Sequence, residues 1–272
     1  MENTKTVKAL KKQLVAAIAM VLVAAVALGS STYAWFVSNN KVTGTTTNIS
    51  AQSNSAYLVI DKEKTKATSK SEYSYQTEAG IKKALYPAQV IADGVWESAY
   101  AADTKTATEK ANTRFTIKST GKTEGSAEAA VAEEYAITDK FFIGTGTYDG
   151  EFKDLKVTNV ELSAPSTDIA NAMRVLVKCG TNWQVWRYDA ASGKGVQVTT
   201  YKTTAADEVA LSGQSTVIAS SVKKDEDAEV DVYVYYDGAD AKIFSDNLTN
   251  LAKDCGVTVT FEAAPVTHGD TK

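Results

Sequence analysis

Ala172-Met-Arg-Val-Leu-Val-Lys-Cys-Gly-Thr-Asn-Trp-Gln-Val-Trp-Arg-Tyr188 is the stretch on which the fold turns. Met173, Val175, Val177 and Cys179 occupy every second position, and in a strand alternate side chains share one face. Gly180-Thr181-Asn182 supplies turn residues, and Trp183 to Tyr188 reads as the returning strand of a hairpin. β-Branched and aromatic residues dominate both arms, as a pleated, half-buried surface favours. Trp183, Trp186 and Tyr188 lie close together and would suit a sugar-binding platform. The plainer expectation puts Trp183 in the core and leaves Trp186 half exposed.

The same period of two recurs on both sides of this hairpin. Upstream it runs weakly through Arg114–Lys118, and Lys156–Leu162 sets Val157 and Val160 among polar neighbours. Downstream it runs through Val196, Val198 and Thr200, then Val230, Val232 and Val234. It closes with Cys255–Ala263, where Thr258, Thr260 and Glu262 are expected to point outward. Short strands with turns between them and few helical segments imply an all-β, antiparallel β-sandwich. Short helices are expected at Ser245–Ala252 and near Ile81–Leu85. Residues 61–84 and 101–135 are rich in Lys, Thr, Ser, Glu and Ala and read as solvated loops or insertions. With proline only at Pro87, Pro165 and Pro265, no proline-rich linker divides the chain. A single domain over 51–265 and a tail over 266–272 are the expectation.

Two cysteines, Cys179 and Cys255, both fall on the apolar parity of their strands. An even count in an exported protein permits one disulfide, and two buried free thiols are the alternative. His268 is the only histidine and sits near the end of the chain, which removes the positioned imidazole that most hydrolytic triads and zinc sites need. The adjacent acids Glu133-Glu134 and Asp225-Glu226-Asp227 lie in polar runs and read as solvated faces. Asp237, Asp240 and Asp246 lack the spacing of an EF-hand loop, and Gly144-x-Gly146 lacks the rest of a nucleotide-binding fingerprint. We therefore assign no catalytic, cofactor-binding or metal-binding residues and expect no enzyme and no cofactor.

The first residues carry the most specific signal. Lys5, Lys8, Lys11 and Lys12 precede an apolar run of 15 residues, Leu14–Leu28. Gly29-Ser-Ser-Thr-Tyr-Ala34 then places small residues before a cut between Ala34 and Trp35, the order of a secretory signal peptide over 1–34. The run is shorter than the roughly 20 residues that span a bilayer; an uncleaved anchor would have to recruit Trp35, Phe36 and Val37. The leader carries a net +3 and the whole chain −4, so the remainder stands at −7. An acidic chain with three arginines excludes nucleic acid as a partner and suits an exported protein with no stable membrane insertion after cleavage.

The junction Gly29-Ser-Ser-Thr-Tyr-Ala-Trp-Phe-Val-Ser-Asn-Asn-Lys-Val-Thr-Gly-Thr-Thr-Thr-Asn-Ile-Ser-Ala51 resembles the TasA/camelysin family, bacterial proteins exported by a dedicated signal peptidase. Tyr235–Asp240 and Val257–Ala263 also look like secreted relatives from Gram-positive bacteria. The resemblance covers roughly 25–60, extends weakly over 230–263, and elsewhere rests on strand character alone. It implies a jelly-roll-like sandwich, a location outside the cell or on its surface, and assembly into biofilm-matrix fibres. A sandwich missing one strand has an unpaired edge that a neighbour's strand fills by donor-strand complementation, and the head-to-tail contact propagates as a filament. The partners would then be copies of the same chain. The donor strand would be 35–50, anchored by Trp35, Phe36, Val37, Val42 and Ile49; the alternative is that this segment pairs within its own domain. A second function class is a non-polymerising surface adhesin or binding module. The metalloprotease label carried by some members of the family finds no support in a single histidine.

Overall fold

The computed structural model describes residues 20–21, 49–53, 58–64, 74–76, 85–101, 112–146, 148–163, 171–203, 207–240, 243 and 256–266. The chain divides into two units, Met1–Lys41 and Val42–Lys272. Of the first, Met20 and Val21 are described, helical and largely exposed. Among the described residues no helix is long and apolar enough to cross a membrane. The second unit is an all-β sandwich.

Its strands are numbered along the chain. Sheet one has five, in the order β14 (Ala219–Lys223), β8 (Glu151–Ser163), β16 (Gly256–Pro265), β1 (Ile49–Ser53), β3 (Ser74–Gln76). Sheet two has six: β11 (Lys194–Gln197), β10 (Asn182–Asp189), β9 (Met173–Cys179), β15 (Ala228–Tyr236), β7 (Ala136–Gly144), β2 (Val59–Asp61). The hairpin read from the sequence is β9–β10, with Asn182 opposite Cys179 and Gly180 taking the left-handed turn conformation at φ 59°. Among the described strands every pairing is antiparallel except one: β1 runs parallel to β16.

The two sheets pack face to face, as sandwich sheets do. Phe152, Leu155, Val157 and Val160 of β8 and Val257, Val259 and Phe261 of β16 meet Val175 and Val177 of β9 and Val230, Val232 and Val234 of β15. At one side β11 closes onto sheet one. A Cβ on Gly195 would stand 2.7 Å from the Val160 nitrogen, so only glycine lets the two backbones come this close. The Gly195 amide donates to Asn159 Oδ1 at 3.2 Å across the same contact.

A second core lies on the other face of sheet two. Leu176, Trp183, Val185, Tyr233 and Tyr235 are covered by a three-stranded sheet of β4 (Ala88–Ala92), β5 (Val95–Ala101) and β6 (Asn112–Thr116), and by a short helix, α1 (Ala127–Ala132). Trp96 stands edge-on to Tyr235 at 4.8 Å and to Tyr233 at 6.0 Å. Burial pushes the Tyr233 phenol up to about 12 and raises that of Tyr235 as well, so both rings stay neutral as core groups. Trp183 is buried and Trp186 half-buried, as expected.

Several expectations differ from the structure. The 112–135 part of the stretch read as a solvated insertion carries β6 and α1, and Ala127, Ala129 and Ala130 are buried against the second core. Small side chains let a helix sit close to a sheet, and Ser126 caps it by accepting the Ala129 amide at 3.1 Å. The Lys-rich stretch 61–84 contains β3. Thr260, expected outward, is 2% exposed and adjoins a register shift in the β16–β8 ladder. The helix expected at Ser245–Ala252 and most of that at Ile81–Leu85 lie outside the described residues; Leu85 itself is buried and non-helical.

Candidate assembly strand

The chain's first described strand fills a slot beside its last. β1 pairs in parallel along β16, from Ile49 opposite Val257 to Ser53 opposite Phe261. Its other edge pairs antiparallel with β3, where Ala51 faces Tyr75. β1 is therefore interior to sheet one although it comes from the opposite end of the sequence to β16. Parallel strands cannot be joined by a tight turn, so nothing local to β16 commits it to this particular neighbour.

β1 has one side chain described in the core, and its backbone is paired on both edges. Its sequence is Ile-Ser-Ala-Gln-Ser, and Ala51 is fully buried in the main core beside Val257 and Val259. One buried methyl contributes about 0.8 kcal/mol, whereas each ladder bond contributes roughly 0.5–1.5 kcal/mol irrespective of sequence. An identical strand from another copy would make the same ladder pairings. Further along the chain, Leu58 is buried in the main core and β2 forms the edge of sheet two.

Of the residues expected to anchor a donor strand, Ile49 heads β1 and pairs within its own chain with Val257. Trp35, Phe36, Val37 and Val42, and the proposed cut at Ala34–Trp35, lie outside the described residues. Cys179 ends β9 as a half-buried free thiol, and Cys255 lies outside the described residues, just ahead of β16. Burial, then the Asp231 and Glu229 carboxylates, push the Cys179 thiol up, so it remains protonated at neutral pH.

No family model, curated protein or solved structure matches this chain. Its own geometry must carry the functional reading. The boundary drawn at 50/51 divides β1, which spans 49–53. A five-residue strand with two apolar positions has too little periodicity to be bounded from sequence. The acceptor side was easier: Val257, Val259 and Phe261 of β16 share one buried face, as their alternation implied.

The acidic pairs weighed in the sequence are dispersed. Glu133 and Glu134 follow α1, Glu134 with φ 65°, and between β14 and β15 Asp225 and Glu226 are exposed while Asp227 is half-buried. Asp237 and Asp240 do converge, but on a cation of the protein itself: Arg174 lies 2.9 Å from Asp237 Oδ2 and 3.7 Å from Asp240 Oδ2. Among the described residues no group of three or more His, Cys, Asp or Glu gathers as a metal site.

Proposed function

We propose that this chain is a structural subunit of an extracellular fibre or biofilm matrix, in which the N-terminal strand segment of one copy completes sheet one of the next. The observation that carries the proposal is the parallel β1–β16 pairing. A slot in the middle of a sheet is filled by a strand from the far end of the sequence, with a backbone ladder that any identical strand would repeat. An exchanged β1 would make the same bonds in trans, so exchange costs little enthalpy and depends on protein concentration. The resemblance of the 25–60 region to the TasA/camelysin family supports the same reading, as does the leader-like segment before it. Removal of the leader would release Trp35 as the start of the donated segment, so export and competence to assemble would be one event.

The register supplies the test. Ser50 pairs with Thr258, and Thr258 is only half-buried. With Cys179 and Cys255 replaced by serine, a Ser50→Cys protein starting at Trp35 is mixed with a Thr258→Cys protein and oxidised. A disulfide between the two chains, appearing as the concentration rises alongside filaments in electron micrographs, is the expected result. Crosslinking confined to the Ser50→Cys/Thr258→Cys double variant within one chain, at every concentration, would sink the proposal.

A further inference from the structure

A cleft of about 470 Å³ opens where β9 and β10 meet β4, the ribbon of β12 (Thr200–Lys202) and β13 (Glu208–Ala210), and the turn after β15. That size is in the range of small-molecule sites, roughly 300–1,000 Å³. Its wall carries Arg174, Arg187 and Lys202 against Asp237, Asp240 and Glu208.

All of these except Arg187 are engaged with one another. Arg174 Nη1 donates to the Asn171 and Met173 carbonyls, and its Nη2 stands 2.9 Å from Asp237 Oδ2 and 3.7 Å from Asp240 Oδ2. Asp237 also accepts the Ala239 amide at 2.9 Å. On the ribbon, Lys202 lies 4.0 Å from Glu208, and the Thr200 hydroxyl donates to the same carboxylate at 3.4 Å.

The Arg187 side chain is 42% exposed, and the one acid within reach of it among the described residues is Asp189, 4.0 Å from Nη1. That separation is too long for a hydrogen bond, and Asp189 does not line the cleft. The hairpin register sets Arg187 directly opposite Arg174, and like charges so placed on a sheet repel. Both aspartates are drawn onto Arg174, the more buried of the two, so an accessible guanidinium is left at the cleft with its donors unspent.

Those donors choose the ligand. A guanidinium fork matches a carboxylate, which takes two parallel hydrogen bonds from it. Apolar surface adjoins the fork: Val196 of β11 is the other cross-strand neighbour of Arg187 and is 36% exposed, and the half-buried Tyr201 ring shares the wall. Glu208 and Asp240 keep lone pairs that hydroxyl groups can donate to. A carboxylate carried on a ring with an apolar C–H face and several hydroxyls answers all three features; a bare oxyanion answers the first alone.

We infer that this cleft binds a uronate unit of an acidic saccharide, with the carboxylate on Arg187 and the C–H face of the sugar against Val196 and Tyr201. The site is separate from the β1 slot, and it stands whether or not the chain polymerises. In a fibre it would be repeated once per subunit along a polyanionic glycan, so weak single-site affinity would be multiplied by avidity.

The test uses the full chain in mild detergent, with trigalacturonate and trimannuronate as acidic probes, maltotriose as the neutral control and inorganic phosphate as the bare anion. Saturation-transfer NMR and calorimetry at low salt should find at least one acidic trisaccharide binding with a millimolar or tighter Kd. Maltotriose and phosphate should each bind about tenfold or more weakly, the scale of one charge-assisted hydrogen bond. Added salt should weaken the acidic ligand, because a half-exposed ion pair is screened. Arg187→Gln should weaken it about tenfold or more, and Arg187→Lys, which keeps the charge without the fork, should recover only part of the loss. Because Arg187 stands 4.0 Å from its acidic neighbour, the thermal midpoint of both variants should stay within a few degrees of the parent's, which separates lost binding from lost folding. Absence of binding by both acidic probes at roughly 10 mM would overturn the inference. So would equal affinity for maltotriose or phosphate, or undiminished binding by folded Arg187→Gln.

Discussion

β15 and β1 are both interior strands with neighbours on either side, and they are held in opposite ways. β15 lies in the middle of sheet two, and both of its faces are buried: Val230, Val232 and Val234 in the main core, Tyr233 and Tyr235 in the second. β1 lies inside sheet one with Ala51 as its described core residue. Removing β15 would dismantle two cores. Removing β1 would open the edge of β16 along Val257–Phe261 and take Ala51 from the main core. Position within a sheet therefore does not measure how firmly a strand is committed. Side-chain burial does, because backbone ladders are interchangeable between copies and packed side chains are not.

The largest effect should come from the well-anchored region. Trp96→Ala empties the space that Tyr233 and Tyr235 pack against, and loss of a buried tryptophan costs about 3–5 kcal/mol. Urea unfolding should show the free energy of unfolding falling by that amount; a change below about 1 kcal/mol would mean that the third layer is not cooperative with sheet two. A smaller effect is expected in β1. Ala51→Gly loses one methyl and adds backbone freedom, about 1–2 kcal/mol together. Under the assembly proposal its more telling consequence is a shift of the monomer–polymer balance, read by sedimentation. Equal destabilisation by the two substitutions would erase the contrast.

The smallest effect concerns the buried edge of sheet two. Asp139 of β7 is 9% exposed, and its Oδ2 has no hydrogen-bond partner. Burial raises its carboxyl above the ordinary value, against the opposing pull of the Lys140 amide and the Lys62 ammonium 3.6 Å away. The folded protein thus holds this proton more tightly than the unfolded chain, and stability attributable to Asp139 declines as pH rises from the ordinary carboxylate value through the raised one. Asp139→Asn should raise the melting midpoint by about 2 °C at pH 7. That advantage should vanish as pH falls towards the ordinary carboxylate range near 4. A midpoint lowered at pH 7 would show that the Lys62 contact outweighs desolvation.

The β9–β10 hairpin, β8, β15 and β16 were legible because their apolar residues alternate over long stretches, and alternation survives without any knowledge of what covers each face. The third layer was not. Trp96, Ala129 and Ala130 lie in stretches with no clear period, and a six-residue helix offers too few turns to show one. Ser126 at the cap and Glu128 in the first turn were the available signal for α1. The cleft was illegible for another reason: Gln89, Arg174, Tyr201 and Asp237 come from four separate segments, and no local pattern links them.

By itself the sequence determined that the chain makes a β-sandwich, which strands build its main core, and that Trp183 is interior while Trp186 is not. Those properties follow from side-chain parity and composition, which are local. Tertiary structure alone decided that β1 lies parallel to β16, that sheet two is buried on both faces, and that Arg174 meets two aspartates. Each depends on which distant segments meet, and that is settled by packing and by the pairing of backbone groups that are the same in every residue but proline.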